Sequence, residues 1–270
     1  MDRPFAVMGI VNATPDSFSD GGEHQDAADA AAHGRALIAE GAALVDVGGE
    51  STRPGAAPVT LEEERRRVLP VVEELAGETE VSVDTSKAAL AADALAAGAR
   101  MINDVTALRG DTAMAGVVAQ STVRCCLMHM QGEPRTMQAA PHYDDVVDDV
   151  RAFLEERLAF AVAAGIAEER IVLDPGIGFG KTAQHNLQLL DRLDELVAIG
   201  RPLLIGTSRK SFLGRLAARG GAEPGVRERL PGTIATNVIA LERGASIFRV
   251  HDVAPVRDAL AVAAATLGAR

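Results

Sequence analysis

The chain has 270 residues, 47% hydrophobic and 24% charged, with a formal net charge of −11. This excludes both a small module and a disordered segment, and the acidity argues against nucleic-acid or anionic-membrane binding, which need a basic surface. With seven Phe, one Tyr and no Trp, the core has to be built from Ala, Val, Leu and Ile, residues that suit a buried parallel sheet under Ala-rich helices.

Short β-rich runs alternate with longer helical ones along the whole chain. Strands are expected at residues 5–12, 43–48, 81–84, 101–104, 124–129, 171–174, 203–207 and 247–250. Helical stretches are expected at 26–40, 61–75, 87–97, 144–164 and 184–198. Repeated strand–helix alternation implies a parallel α/β sheet, and eight units favour closure into a (β/α)8 TIM barrel. The length agrees with the roughly 250 residues of such a barrel. With no composition break, one domain over residues 1–270 is expected.

Cys125 and Cys126 are adjacent in an apolar strand, where alternation sends them to opposite faces and makes a disulfide between them improbable. Residues 1–20 lack a basic segment followed by an apolar one, and no run approaches about 18 apolar residues. A soluble, cytoplasmic protein is expected.

Nearly every strand ends in polar or glycine-rich residues: Asn12, Gly48 to Glu50, Asp84, Asn103 with Asp104, His129, Asp174, Ser208 to Lys210, and Arg249 with His251. In parallel βα units these ends open onto one face, where such barrels build active sites. Any one of them reads as a turn former or helix cap; the whole set in register predicts a polar rim. The first loop, residues 12–22, is long, polar and ends in Gly21-Gly22, as a lid does. In the second, residues 48–55, Thr52 and Arg53 offer donors to phosphate oxygens. Gly176 to Lys181 does not have the spacing of a phosphate-binding loop, and the acidic group Asp144, Asp145, Asp148 and Asp149 has the helical spacing of a solvated face.

These segments together resemble the dihydropteroate synthase family. The resemblance is carried by residues 8–22 (MGIVNATPDSFSDGG) and 48–55 (GGESTRPG), then by Val83-Asp84-Thr85, Ile102 to Val105, Leu127 to Gly132, Leu173 to Lys181, Thr207 to Ser211 and Arg249 to Val253. It spans almost the whole chain and departs from the family pattern only at conservative or linking positions, such as Ala13 and the Arg/Gly-rich stretch 215–229, which is expected to be a surface insertion.

The resemblance implies a transferase that joins a pterin diphosphate to 4-aminobenzoate. It assigns Asp84, Asn103, Asp174 and Lys210 to the pterin, whose amino-oxo edge pairs with carboxylates and carboxamides. Thr52, Arg53, Arg249 and His251 fall to the diphosphate, and Ser211, Phe179, Pro54 and Phe18 to the benzoate. Lys210, Arg249 and Asp84 are the expected catalytic residues, and Asn12 the expected protein ligand of a Mg²⁺ ion, which favours oxygen donors and shared phosphates. It further implies a homodimer and sensitivity to sulfonamides as benzoate mimics. Two alternatives remain: a barrel that transfers a methyl group from methyltetrahydrofolate, and a catalytically silent pterin-binding paralogue.

Overall fold

The computed structural model describes residues 5–13, 23–51, 58–133 and 136–269, with side chains in the second of these segments from residue 27 onward. Strands β1 (Ala6–Asn12), β2 (Leu44–Gly48), β3 (Glu80–Asp84), β4 (Met101–Asp104), β5 (Arg124–Met128), β6 (Ile171–Asp174), β7 (Leu204–Ile205) and β8 (Ile247–Val250) form one sheet, in the order β6-β5-β4-β3-β2-β1-β8-β7. Every pairing is parallel. Leu173 of β6 bridges Leu203 beside β7, and its amide donates to the Pro202 carbonyl at 2.9 Å. The sheet therefore meets itself as the expected barrel.

Helices α1 (Glu23–Ala39), α2 (Leu61–Leu75), α3 (Ala88–Ala96), α4 (Met114–Ala119), α5 (Val146–Ala163), α6 (Ala183–Asp191), α7 (Leu193–Val197), α8 (Ser211–Leu216), α9 (Leu230–Glu242) and α10 (Val253–Leu267) fill the connections. Their starts follow local chemistry. Thr60 caps α2 by accepting from the Glu63 amide, and Asp145 caps α5 by accepting from the Val147 and Asp148 amides, which satisfies donors that a helix start leaves unpaired. The acidic group at the start of α5 thus supplies its cap, Asp145, and two residues of its first turn, Asp148 and Asp149. No helix among the described residues is long and apolar enough to cross a membrane.

Strand alternation divides the barrel into two apolar volumes. Val7, Val45, Val81, Ile102, Cys125, Leu173 and Phe248 point outward into the main core beneath the helices. Met8, Leu44, Met101, Cys126, Val172, Leu204 and Ile247 point inward and plug the barrel. The adjacent cysteines face opposite sides as expected, both free and buried, and burial raises both thiols above their ordinary range.

Two expected elements come out differently. β7 covers Leu204–Ile205 rather than 203–207, because Thr207 turns to α9, where its hydroxyl accepts from Thr236 Oγ1 (2.8 Å) and lies 3.2 Å from Asn237 Oδ1. The stretch 184–198 breaks into α6 and α7 at Arg192, which joins Glu195 to Asp145 at the start of α5, each at 2.7 Å. The stretch 215–229 is largely exposed, at the surface where it is expected. Its last residue nonetheless reaches inward, with Arg229 Nη1 3.2 Å from the Arg209 carbonyl.

Phe248 is fully buried and meets the edge of Phe5 at 6.4 Å between ring centroids. Phe248→Ala leaves a cavity between β8 and the helices and is expected to lower unfolding free energy by about 3–5 kcal/mol, measured by urea titration with far-ultraviolet circular dichroism.

Candidate active site

Two residues beyond the apolar plug, the inward positions become polar. Leu44 is followed by Asp46, Met101 by Asn103, Val172 by Asp174 and Ile247 by Arg249, while β3 contributes Ser82 and then Asp84. Because the strands are parallel and in register (Asp46 beside Ser82, Asp84 beside Asn103), these side chains meet in one layer at the carboxyl ends of the strands.

Asp46, with no exposed surface, lies at the centre of that layer. Its Oδ2 accepts from Arg249 Nε at 2.6 Å and from Asn103 Nδ2 at 3.0 Å. Arg249 Nη2 also donates to Asp84 Oδ2 at 3.0 Å. Burial opposes the charge on Arg249, but Asp46 and Asp84 outweigh it and raise its proton affinity. At Asp84 burial dominates: it raises the carboxyl to about 7, against the pull of Arg249 and with a further push from Asp46, Glu64 and Asp104. Asp104, with the opposite parity, points away and accepts from the Thr106 and Leu108 amides, each at 2.8 Å.

Asp174 combines the two readings its sequence allows. Its Oδ1 accepts from the Gly176 amide at 2.7 Å, shaping the turn, while the carboxylate faces Lys210 and Arg249 from a buried position that raises its proton affinity. The turn needs its glycines. Gly176 has φ +65°, and a Cβ there would lie 1.8 Å from the His129 carbonyl oxygen. Gly178 has φ +84°, and its missing Cβ leaves the path taken by the Lys210 stem. Lys210 Nζ donates to the Ile177 carbonyl and lies 4.8 Å from the centroid of the Phe179 ring. Burial lowers Lys210 to about 8, with Asp174 opposing.

Several structural residues at the site had not been singled out. Lys181 is 2% exposed; its Nζ lies 2.8 Å from His129 Nδ1 and donates to the Phe179 carbonyl at 3.1 Å. Burial lowers both groups strongly, and His129 shares the outward parity of Leu127, so it sits behind the turn and is not a member of the rim. Arg209 has a left-handed φ of 58°, fixed by a two-pronged pair with Asp252 at 2.9 and 2.6 Å. Lys87 donates to both Glu50 and Glu64 behind the second loop. For Asp46 a signal was legible: an acidic residue inside a buried strand, at the parity of Gly48. Lys181 and Arg209 carry no such signal, since His129 and Asp252 are far away in sequence.

Toward the outer edge, His251 Nδ1 and Ser208 Oγ are 2.9 Å apart, and Ser208 Oγ also accepts from the His251 amide at 3.1 Å. If the hydroxyl donates to Nδ1, the neutral ring carries its proton on Nε2. Ser211 is exposed in the first turn of α8, and Phe179 is half-buried against Val105, Met128, Met130 and Met137. Thr52, Arg53, Pro54 and Phe18 lie outside the described residues. Asn12 ends β1 half-buried, and among the described residues there is no grouping of His, Cys, Asp or Glu able to hold a metal. A lone carboxamide oxygen is a poor cage. It suits Mg²⁺, an ion that keeps waters and takes substrate phosphates as its other ligands.

Comparison with known proteins agrees with this geometry. Residues 8–251 match the model of the pterin binding enzyme family. The dihydropteroate synthase of Escherichia coli K12 is 50% identical over 266 residues, covering 98% of this chain and 92% of that one. The Xanthomonas albilineans dihydropteroate synthase solved with 4-aminobenzoic acid superimposes with a TM-score of 0.91 at 50% identity, covering 98% of this chain and 94% of that one. A Yersinia pestis dihydropteroate synthase solved with a sulfonamide drug complex gives 0.91 at 46% identity, with the same coverage. With a family model spanning most of the chain and half-identical relatives along its length, the chain belongs to the dihydropteroate synthase family of pterin-binding enzymes.

Proposed function

We propose that this barrel condenses (7,8-dihydropterin-6-yl)methyl diphosphate with 4-aminobenzoate to give 7,8-dihydropteroate and diphosphate. The reading is carried by the inward layer in which Asp46, Asp84, Asn103 and Arg249 join carboxylate, carboxamide and guanidinium groups above an apolar plug. A pterin presents an amino-oxo edge that such groups match, and an unmatched ring leaves buried polar groups without partners. Asp84, Asn103 and Asp174 take that edge, with Lys210 donating to a ring nitrogen or the 4-oxo group.

The reaction breaks the bond between the pterin methylene carbon and the diphosphate oxygen and forms one from that carbon to the aniline nitrogen, which then loses a proton. As the leaving group departs, negative charge grows on its oxygens and positive charge on the methylene. Arg249 and the Nε2–H of His251, with Thr52 and Arg53 from the second loop, are the groups that receive the diphosphate charge; stabilising charge that develops in the transition state is the main device. Asn12 is the ligand for Mg²⁺, which when bound adds positive charge against the diphosphate. Phe179, Pro54 and Phe18 wall the benzoate ring and Ser211 meets its carboxylate, the pocket in which a sulfonamide competes. A homodimer is the expected assembly.

The direct test is diphosphate release from purified protein given Mg²⁺, the pterin diphosphate and 4-aminobenzoate. Release that depends on all three and is suppressed by sulfamethoxazole is the expected result; binding of pterin without release would leave a silent pterin-binding protein. Arg249→Ala is expected to weaken binding of the diphosphate substrate by about 2–5 kcal/mol and of the free pterin far less, as read by calorimetry. Equal losses would remove Arg249 from the phosphate site. Asp84 must be ionised to accept from the pterin, and with its carboxyl raised to about 7 it takes up a proton as pH falls through that value. Lys210, lowered to about 8, loses its proton as pH rises through that value. The pH profile of kcat/KM, which reports free-enzyme groups, is expected to be bell-shaped with an acid limb near the first value and an alkaline limb near the second. Lys210→Arg is expected to move the alkaline limb upward.

A further inference from the structure

The carboxylate at the centre of the polar layer has no part in the contacts just described, yet it touches two of the residues that make them. Asp46 is fully buried in β2, and its Oδ2 holds Arg249 through Nε and Asn103 through Nδ2. Among the described residues its Oδ1 has no hydrogen-bond partner, and neither does the hydroxyl of Ser82, its register partner on β3. A buried carboxylate with an unpaired oxygen is destabilising in itself. If Asp46 served only to brace Asn103, a neutral amide would accept the same hydrogen bond without the cost of desolvating a charge. What the carboxylate adds is charge, and the cation against it is Arg249.

Arg249 has two acidic partners, and they are not equivalent. Asp46 lies on the inner side of the layer at the level of Ser82, with no exposed surface, while Asp84 is one inward position higher and 11% exposed at the mouth. A pterin can reach Asp84 and cannot reach Asp46. When a ligand's donors take up Asp84, the guanidinium still has a counter-ion; without Asp46 it would have to choose between losing its only partner and withholding that partner from the ligand.

We propose that Asp46 is the resident counter-ion and positioning residue of Arg249, fixing its guanidinium and Asn103 in place so that Asp84 is released to the pterin. This rests on the reading that Asp84 and Asn103 bind the pterin and Arg249 the diphosphate.

The test is Asp46→Asn, which keeps the shape and removes the charge. Arg249 then leans wholly on Asp84, and KM for the pterin diphosphate is expected to rise about tenfold or more, with KM for 4-aminobenzoate changed less than about twofold. The charges that act on Asp84 are those of Arg249, Asp46 and Glu64, and, from the outward face, Asp104. Removing the Asp46 charge lowers the proton affinity of Asp84, so the acid limb of kcat/KM is expected to move to lower pH, a displacement that loss of packing does not produce. In an Arg249→Ala background the same substitution is expected to cost less than about twofold.

Parent-like kinetics and an unmoved acid limb in a folded Asp46→Asn protein would overturn the proposal. So would a uniform loss toward both substrates, or a full-sized loss in the Arg249→Ala background. Should Asp46→Asn fail to fold, folding of the double variant would support the proposal by tracing the fault to the guanidinium that has lost its buried counter-ion; failure of both would make Asp46 a brace of the barrel and overturn it. Parent turnover, measured alongside, separates the two readings. An inactive parent fails the assigned reaction, and an active parent with an indifferent Asp46→Asn fails the assignment of Asp46.

Discussion

A parallel strand turns successive side chains to opposite faces, and strands closed into a ring leave no edge along which that parity can slip. Everything functional in this molecule follows from it. Outward positions must pack under helices and are apolar throughout the main core. Inward positions must either fill the barrel or reach its mouth, and the change from one duty to the other takes a single inward step: Leu44 to Asp46, Met101 to Asn103, Val172 to Asp174, Ile247 to Arg249. The apolar plug is thus also the dry floor that strengthens each charge above it.

The layer holds carboxylates from Asp46, Asp84 and Asp174 against the cations of Lys210 and Arg249, all in surroundings that penalise charge. Burial raises Asp84 and Asp174 and lowers Lys210, and so brings Asp84, at about 7, and Lys210, at about 8, near each other. Such groups exchange one partner for another at small cost, which suits a site that must trade its internal ion pairs for those of a ligand. The rigidity that keeps the exchange specific is supplied from outside the layer: by the glycines of the 174–181 turn, by Lys181 and His129 behind it, and by the Asp252 pair that holds Arg209 in its left-handed conformation.

The strands and the polar rim were largely legible from sequence because both rest on local periodicity and on the residue types at strand ends. Asp84, Asn103, Asp174 and Arg249 lie at the inward ends where counting along each strand puts them, and the cysteine pair divides between the two faces as alternation requires. Other features depend on contacts between distant segments. The break at Arg192 depends on Asp145, the short β7 on α9, and the burial of Lys181 on a histidine across the turn. His129 stood among the expected rim residues by its position and was removed from them by its partner.

What the sequence determined by itself was the alternating architecture, the face on which the strands end, and the kinds of side chain gathered there, since each of these is set by neighbours within a few residues. The tertiary structure alone decided which of those groups are paired, which carry their usual charge, and that Asp46 rather than Asp84 is the deeper partner of Arg249. Those outcomes depend on distance and burial in the closed barrel, where residues as far apart as Asp46 and Arg249 come within 2.6 Å. Ring closure makes the first and last strands neighbours, and no local pattern in the chain records how closely their side chains will meet.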